Sequence, residues 1–491
     1  MMGIMRLFLA ARKHALWIYW SLLTLFLSSC LAYALLGHNQ SLLTKAIFLP
    51  AGTTSGHHQI EIACDVCHDP MNGIKQEACL SCHGDALKAS EDSHPRRKFT
   101  NPRNASRVEL LDARLCITCH REHRPDDTHA MGVTQPNDFC FLCHSKIAED
   151  RPSHAGLDFN TCASSGCHNY HDNRALYEDF LTKHLNEPNL KENPHVPLRN
   201  SGEVFGARAQ NPIVPLTSLD ADARPYFKDM QSYLGTIEDW ESSAHARADV
   251  NCLACHSVMQ ADSEAPVWRD RVDYSVCKDC HEETVQGFLA GKHGMRLAQG
   301  LDPMQPSMAR LPMKNNAEDP LTCNTCHKAH RFDTRQAAVQ TCLTCHDDAH
   351  SRAYKLTKHF RLWEEEISGR APEGTGVSCA TCHLPREVHK QEDLDIEAIQ
   401  VQHNQNANLR PNEKMIRSVC MDCHGLGFSI DALADQRLIE NNFNGTPTQH
   451  VKSLDWVEQR LKQCLKENTA STTTEPACGD NKTTHLEEDR R

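Results

Sequence analysis

Several features are scarce in this chain, and each scarcity excludes a class of protein. Acidic residues outnumber basic ones, and the formal net charge of -12 argues against nucleic acid as a partner. No stretch keeps a two-residue alternation of apolar and polar residues, so little β-strand is expected. Aromatic residues make up only 6% of the chain, so something other than aromatic side chains must fill much of the interior.

Cysteine and histidine are by contrast abundant, with 25 and 31 residues. Twenty of the cysteines form ten copies of Cys-x-x-Cys-His, the attachment motif of c-type haem. A zinc ribbon does not need the final histidine, and a redox dithiol does not repeat ten times, so both alternatives are disfavoured. Two cysteines on one helical turn would form thioethers to one porphyrin, and the next histidine would be the proximal iron ligand.

An eleventh, irregular copy has two extra residues between its cysteines, in TCASSGCHNYH at 161–171. Its place after four regular motifs predicts a haem site here too. We number the sites 1 to 11 along the chain. The predicted covalent attachments are Cys64 and Cys67, Cys79 and Cys82, Cys116 and Cys119, Cys140 and Cys143, Cys162 and Cys167, Cys252 and Cys255, Cys277 and Cys280, Cys323 and Cys326, Cys342 and Cys345, Cys379 and Cys382, and Cys420 and Cys423. The predicted proximal ligands are, in the same order, His68, His83, His120, His144, His168, His256, His281, His327, His346, His383 and His424.

The remaining histidines are numerous enough to supply a sixth ligand to every iron, which favours mostly bis-histidine haem. A histidine three or four positions after a proximal one leaves from the side its own haem occupies, so it is expected to ligate a neighbouring haem. A Leu-Thr-Lys-His pattern, exact at 181–184 and 356–359 and approximate at 289–293, predicts ligands on helices. The candidate distal ligands are His57, His58, His94, His123, His154, His171, His184, His245, His293, His330, His350, His359 and His389.

Between Cys64 and His424 the chain has about 33 residues per site, which is below what a chain usually needs to fold without metals or crosslinks. The eleven c-type hemes, with their iron, are therefore expected to form the core. The predicted fold is mainly α, with short helices and irregular loops wrapped around a covalent multihaem core and little strand.

An uncharged apolar segment at 15–37 follows a basic stretch with Arg6, Arg12 and Lys13. Its length suits a bilayer span better than a cleavable signal, so we expect an anchor in the bacterial inner membrane with the rest of the chain in the periplasm. Cleavage near Ala34 or Gly37 and lipidation at Cys30 are the alternatives. All three export the chain, as c-type haem attachment requires.

The motifs fall into two clusters separated by a motif-free stretch. We predict an N-terminal anchor or signal segment at 1–49, a five-haem module at 50–186, a haem-free linker at 187–235, a six-haem module at 236–467 and a disordered tail at 468–491. Cys464 and Cys478 lie outside every motif, and either a disulfide between them or free thiols fit the sequence.

The first cluster, with HHQIEIACDVCH, ACLSCHGDAL and CITCHREH, resembles small cytochromes of the c3 and c7 type and pentahaem donor cytochromes. The irregular site 5 also occurs in that family. The second cluster, with WESSAHARADVNCLACH, LTCNTCHKAHRF, CLTCHDDAHSRAY and VSCATCHLPR, is similar to the hydroxylamine oxidoreductase and octahaem reductase group. That resemblance implies a catalytic haem with an empty distal side, by order site 7, although a catalytic tyrosine does not carry over.

Two functions follow from these patterns. The favoured one is an electron-transfer protein of periplasmic respiration that exchanges electrons with redox partners such as a quinol dehydrogenase or a soluble cytochrome. The alternative is a multihaem oxidoreductase acting on a small nitrogen or sulfur compound such as nitrite, hydroxylamine or tetrathionate at one open haem in the second cluster. In that case Lys292, His293 and Arg296 could bind the anion.

Overall fold

The computed structural model describes residues 2–36, 48–69, 72–92, 94–136, 138–150, 154, 170–172, 178–200, 228–248, 250–258, 267–391, 396–409 and 412–470. Site 5 (Cys162, Cys167 and His168), the side chain of Cys464, Cys478 and most of the predicted tail lie outside the described residues. Ten of the eleven predicted sites are therefore open to inspection.

Helices dominate the described chain, and most of them are short, which confirms the predicted mainly α class. The longer helices are α1 (Met2–Leu36), α2 (Gln76–Ala89), α3 (Met230–Glu241), α4 (Tyr274–Ala290), α5 (Lys358–Ile367), α6 (Leu426–Ala434) and α7 (Ser453–Ala470). Shorter α-helices span Cys64–Cys67, Arg96–Thr100, Ala105–Leu110, Cys116–Cys119, Phe141–His144, Ile147–Asp150, Glu178–Lys183, Ala244–Arg247, Cys252–His256, Met295–Ala298, Cys323–Cys326, Thr334–Ala338, Cys342–Cys345, Ala349–Ala353, Cys379–His383, Gln405–Leu409, Met421–Cys423 and Gln436–Glu440. Single turns of 3-10 helix lie at His58–Ile60, Pro102–Asn104, Pro125–Asp127, Ala130–Gly132, Pro306–Met308, Tyr354–Leu356 and Asn412–Lys414, and a π-helix lies at Ile416–Cys420.

Strands are confined, in the described residues, to three two-stranded antiparallel hairpins. The first pairs β1 (His68–Asp69) with β2 (Gly73–Ile74), and the second pairs β3 (Ser257–Val258) with β4 (Val267–Trp268). The third is longer and pairs β5 (Arg386–Gln391) with β6 (Ile396–Val401), in the register Arg386↔Val401 to Gln391↔Ile396. The first two hairpins follow sites 1 and 6, which are the first sites of the two clusters.

The attachment motifs fold as single helical turns with a common geometry. In sites 1, 3 and 9, for example, the backbone N–H of the proximal histidine donates to the carbonyl of the first cysteine four residues earlier. Polar residues cap some of these turns: the Asn251 and Ser378 side chains accept from N–H groups of the first turn. The turn brings the two cysteines to one side and the histidine beneath them, as one porphyrin requires.

The buried apolar residues form small separate clusters rather than one large core. The most extensive lies in the C-terminal region, where Ile416, Leu426 and Val457 pack together. Leu181 of the short helix Glu178–Lys183 is buried in the same cluster. Residues after this helix also lie along the C-terminal region, because Lys191 N–H donates to the Cys423 carbonyl. The chain at 178–200 thus packs beside site 11.

Candidate haem sites

Each of the ten proximal histidines in the described chain faces the ring of a second histidine that belongs to no attachment motif. The ring centroids lie 5.9–6.4 Å apart in every pair. In order of site the pairs are His68 with His123, His83 with His57, His120 with His171, His144 with His94, His256 with His330, His281 with His245, His327 with His403, His346 with His293, His383 with His350, and His424 with His359.

This spacing fits an iron ion between the two rings. A metal–imidazole bond of about 2.0 Å, added to roughly 1.1 Å from the nitrogen to the ring centre, gives a separation of about 6 Å when doubled. Direct ring stacking would bring the centroids closer, as in His94 and Tyr170 at 4.1 Å. The paired rings are therefore spaced for a metal rather than for contact with each other.

The second nitrogen of many of these rings is already hydrogen bonded, which leaves Nε2 for iron. His57 Nδ1 lies 2.6 Å from a Glu122 carboxylate oxygen, and His123 Nδ1 lies 2.7 Å from the Ala51 carbonyl. Such bonds fix the tautomer and orientation of a ligating imidazole. The same Nδ1 contact to an oxygen acceptor occurs at His94, His120, His171, His256, His350, His403 and His424.

Burial favours the neutral form of several paired imidazoles, and neutral imidazole is the form that binds iron. Burial, together with the charge of the facing histidine, lowers the pKa of His245 and His359 to about 4. The same two causes lower the pKa of His293 and His383 to about 4. Proton competition for these nitrogens is therefore weak at neutral pH.

Histidines that closely follow a proximal histidine face the proximal histidine of another site. His123 and His171 face sites 1 and 3, although they follow the motifs of sites 3 and 5. His330 and His350 face sites 6 and 10 after the motifs of sites 8 and 9. Of the three histidines that end the Leu-Thr-Lys-His pattern, His293 faces the proximal histidine of site 9 and His359 faces that of site 11.

Four of the candidate distal ligands, His58, His154, His184 and His389, lie outside the ten pairs. His58 Nδ1 lies 3.2 Å from the Ser55 carbonyl. His184 Nδ1 lies 2.7 Å from Glu187, and His389 lies between Glu283 and Glu387 at 3.4 and 3.7 Å. Their assignment as ligands stays a prediction.

His403 faces the proximal histidine of site 8, and sequence reasoning missed it. It lies 20 residues after His383, far from the plus-three position that carries His123, His171 and His330. The hairpin β5–β6 occupies the intervening chain, and the plus-three position itself is Arg386. The signal that could have found His403 is its place as the first histidine after that hairpin.

The order of paired histidines is the same in the two clusters. His57 and His245 precede the first site of each cluster and face the second. His94 and His293 lie between the second and third sites and face the fourth. The histidines that face the first and third sites also match: His123 with His330, and His171 with His403. Sites 1–5 and 6–10 therefore form two repeats, which we call the first and second repeat, and site 11 lies outside them.

Neighbouring sites contact each other through their attachment cysteines. The Cys79 side chain of site 2 lies beside Cys116 of site 3. At the equivalent position of the second repeat, Cys277 of site 7 lies beside Cys323 of site 8. Cys342 of site 9 lies beside Cys379 of site 10 in the same way. Because each cysteine would carry a porphyrin edge, these contacts put the attachment edges of successive sites side by side.

The three residues that could bind an anion in an oxidoreductase make other contacts. Lys292 and Arg296 donate to backbone carbonyls of Ser55 and Gln59, and His293 faces His346. Tyr354, the one tyrosine in the sequence after site 7, is buried, and its hydroxyl donates to the Val377 carbonyl at 2.7 Å. In the described part of the chain these side chains are engaged in contacts within the structure.

Comparison with known proteins agrees with the repeat. The cytochrome c3 family matches residues 56–145 and again residues 244–347. The finer division, with a c3-like first cluster and a hydroxylamine oxidoreductase-like second one, stays a prediction, because the same family matches both. The chain is 28% identical over 131 residues to the multiheme cytochrome MtrA of Shewanella baltica (strain OS185), over 26% of this chain and 32% of that protein. The match thus spans about a third of that relative, and no solved structure matches the chain. Repeated attachment motifs, helical motif turns and these matches lead to one assignment: the chain is a multihaem cytochrome c.

Proposed function

We propose that the chain carries electrons between redox proteins along eleven c-type hemes, each held between two histidines. The observation that carries this proposal is the pairing of all ten described proximal histidines with a second ring at 5.9–6.4 Å. An iron with two protein ligands has no position for a substrate, which suits electron transfer and not turnover of a small molecule.

The protein's own residues have three tasks in this function. The cysteines would anchor each porphyrin through thioethers, the paired histidines would bind its iron, and the Nδ1 acceptors hold the rings in place. A bound c-type haem supplies a one-electron iron couple whose potential depends on ligands and burial. Cysteines of successive sites lie side by side, so the attachment edges are adjacent, which favours transfer from one site to the next.

The described geometry gives no support to the alternative oxidoreductase. Site 7, which the resemblance makes the counterpart of a catalytic haem, has His245 facing His281 at 6.0 Å. The ring of His245 therefore occupies the side where a substrate would have to bind.

Site 5 is assigned a distal histidine from the matching order of histidines in the two repeats. In the second repeat, the fifth site faces His350, which lies between the fourth and fifth attachment motifs. The histidine in the equivalent interval of the first repeat is His154. We therefore assign His154 as the distal ligand of site 5, opposite His168.

The proposed location is the periplasm, with α1 as an inner-membrane anchor. One helix among the described residues is long and apolar enough to cross a membrane, over His14–Tyr33. Basic residues before it favour a cytoplasmic N-terminus and an exported remainder. The acidic surface suits a basic redox partner, and a quinol dehydrogenase or a soluble cytochrome has the appropriate chemistry.

A reductive titration tests this function directly. The purified full chain should accept about eleven electrons, one per c-type haem, because each iron is a one-electron couple. The reduced protein should bind less than one carbon monoxide per chain, because both axial positions of each iron are filled. Stoichiometric binding of carbon monoxide at one haem or more would favour the oxidoreductase.

A further inference from the structure

Residues 51–63, which we call the ligand strap, belong to the first repeat but pack against the second. The strap carries His57, the histidine that faces site 2. Its Ile60 and Ile62 are buried against Leu301, and Met295 packs against the same cluster. The segment after His57 is therefore packed against residues 295–301.

Three cationic side chains of the second repeat hold the carbonyl groups of the strap. Lys292 Nζ donates to the Ser55 and Gly56 carbonyls at 2.8 and 2.9 Å. Arg310 Nη1 donates to the Thr53 carbonyl at 2.8 Å. These bonds fix the strap immediately before His57.

Arg296 holds the strap on the other side of His57. Its Nη1 donates to the Gln59 carbonyl at 2.6 Å, and its Nε donates to the Asp302 carbonyl at 2.9 Å. The side chain is only 5% exposed. Charged hydrogen bonds in such a buried place are costly to break, because the carbonyl that loses its donor stays buried.

The first repeat fixes the ring itself through Glu122. This carboxylate accepts from His57 Nδ1 at 2.6 Å and from Thr54 N–H and Oγ1 at 2.6 and 2.8 Å. The ring orientation thus depends on one repeat, and the position of the backbone that carries it depends on the other.

We propose that Arg296, supported by Lys292 and Arg310, is a positioning residue for the sixth ligand of site 2. The second repeat then completes a site whose cysteines and proximal histidine all lie in the first repeat, so docking of the repeats and ligation of site 2 form one cooperative event. The proposal rests on the proposed bis-histidine ligation.

The test replaces Arg296 in the full-length holoprotein and examines site 2 by its spin state. Arg296→Met should produce a high-spin ferric EPR signal and carbon monoxide binding by the reduced protein, approaching one haem per chain. The pyridine haemochrome should still count the same number of hemes, because the cysteines are untouched. Lys292 and Arg310 are less buried than Arg296, so Lys292→Met and Arg310→Met should give smaller high-spin signals. These two variants replace Arg296→Met in the test if that protein does not accumulate.

Two further changes show which haem gives the high-spin signal and how large the signal is when the sixth ligand of site 2 is absent. His57→Ala should give the full high-spin signal, and removal of site 2 by Cys79→Ala with Cys82→Ala should abolish the signal caused by Arg296→Met. A high-spin signal in His57→Ala but in none of the three cation variants would overturn the positioning role alone. Absence of a signal in His57→Ala itself would overturn the bis-histidine assignment of site 2, and the positioning role with it.

Discussion

At the scale of single residues, an imidazole is suited to bind iron when its Nδ1 is hydrogen bonded and its ring lies about 6 Å from a proximal histidine ring. His403 meets both conditions, because its Nδ1 lies 2.9 Å from the Val401 carbonyl and its ring lies 6.3 Å from His327. His389, on strand β5, lies between two carboxylates instead. The two histidines are close in sequence but differ in what their nitrogens contact.

Replacement of His403 should open site 8. His403→Ala is expected to convert one haem per chain from low-spin to high-spin, because the iron loses one of two strong-field ligands. His389→Ala is the matched control and should leave every site low-spin. Visible spectra and carbon monoxide titration of the two variants measure the difference, and an opened haem in His389→Ala would reverse the assignment.

The attachment cysteines and proximal histidines follow from the motif alone, because their spacing is fixed by the porphyrin. Distal ligands are less predictable, because they arrive from other segments whose distance along the chain is free to vary. His123, His171 and His330 share the plus-three spacing and face proximal rings, whereas His403 comes only after the β5–β6 hairpin. His184 shares its local sequence with His359, yet among the described residues His359 faces a proximal ring and His184 is not paired with one.

At the scale of elements, short segments far from the motifs hold the ligand-bearing helices. Helix Gln436–Glu440 begins at Asp435, whose carboxylate accepts from Arg437 and Leu438 N–H groups and from Thr448. The carbonyl of Ile439 on this helix accepts from His350 Nδ1, which faces site 10. Asp435 therefore stabilises the helix whose Ile439 carbonyl accepts from the His350 ring.

The contribution of Asp435 to the stability of the folded protein should depend on pH. Hydrogen bonds from the Thr448 N–H and hydroxyl lower the pKa of Asp435 to about 2, below its ordinary value near 4. A lowered folded-state pKa contributes stability that is complete above the unfolded pKa and is lost as pH falls through the folded one. The native protein should therefore lose this contribution between about pH 4 and pH 2, and Asp435→Asn should lack that part of the decline. Denaturant midpoints at several pH values measure it, and parallel curves for the two proteins would contradict the role.

The helix Glu178–Lys183 contributes to the C-terminal region through Leu181, which is 4% exposed and packs near Ile416 and Val457. Leu181→Ala should destabilise that region by about 2–5 kcal/mol, the usual cost of a buried Leu-to-Ala cavity. Leu190→Ala, at a 59% exposed position, is the control and should have little effect. Denaturant unfolding followed by far-UV circular dichroism compares them; equal midpoints would mean that the helix does not stabilise this region.

At the scale of the whole molecule, duplication explains the matching arrangement of sites 1–4 and 6–9 and leaves site 11 as an addition. Site 11 pairs His424 with His359, and the start of the predicted linker packs against it, since His424 Nδ1 lies 2.8 Å from the Asn189 carbonyl. The mainly α class, the scarcity of strand and the two clusters of sites were predictable from composition and motif spacing. The packing of the ligand strap on the second repeat was not, because it depends on contacts between residues more than 200 positions apart.

The duplication also predicts the ligand of site 5. His154→Ala should open one haem per chain, because His154 occupies the interval that carries His350 in the second repeat. His184→Ala is the matched control, and it should leave all sites low-spin. Resonance Raman spin-state markers of the two variants measure which one contains a high-spin haem. A high-spin haem in His184→Ala but not in His154→Ala would assign His184 as the ligand of site 5.

We propose that every iron in this chain lies between two histidines. Low-temperature EPR of the fully oxidised, full-length holoprotein tests it most directly, with spin quantitation against a haemochrome count. We expect only low-spin ferric signals, which together integrate to about eleven hemes. A high-spin ferric signal that integrates to one haem or more per chain would contradict it.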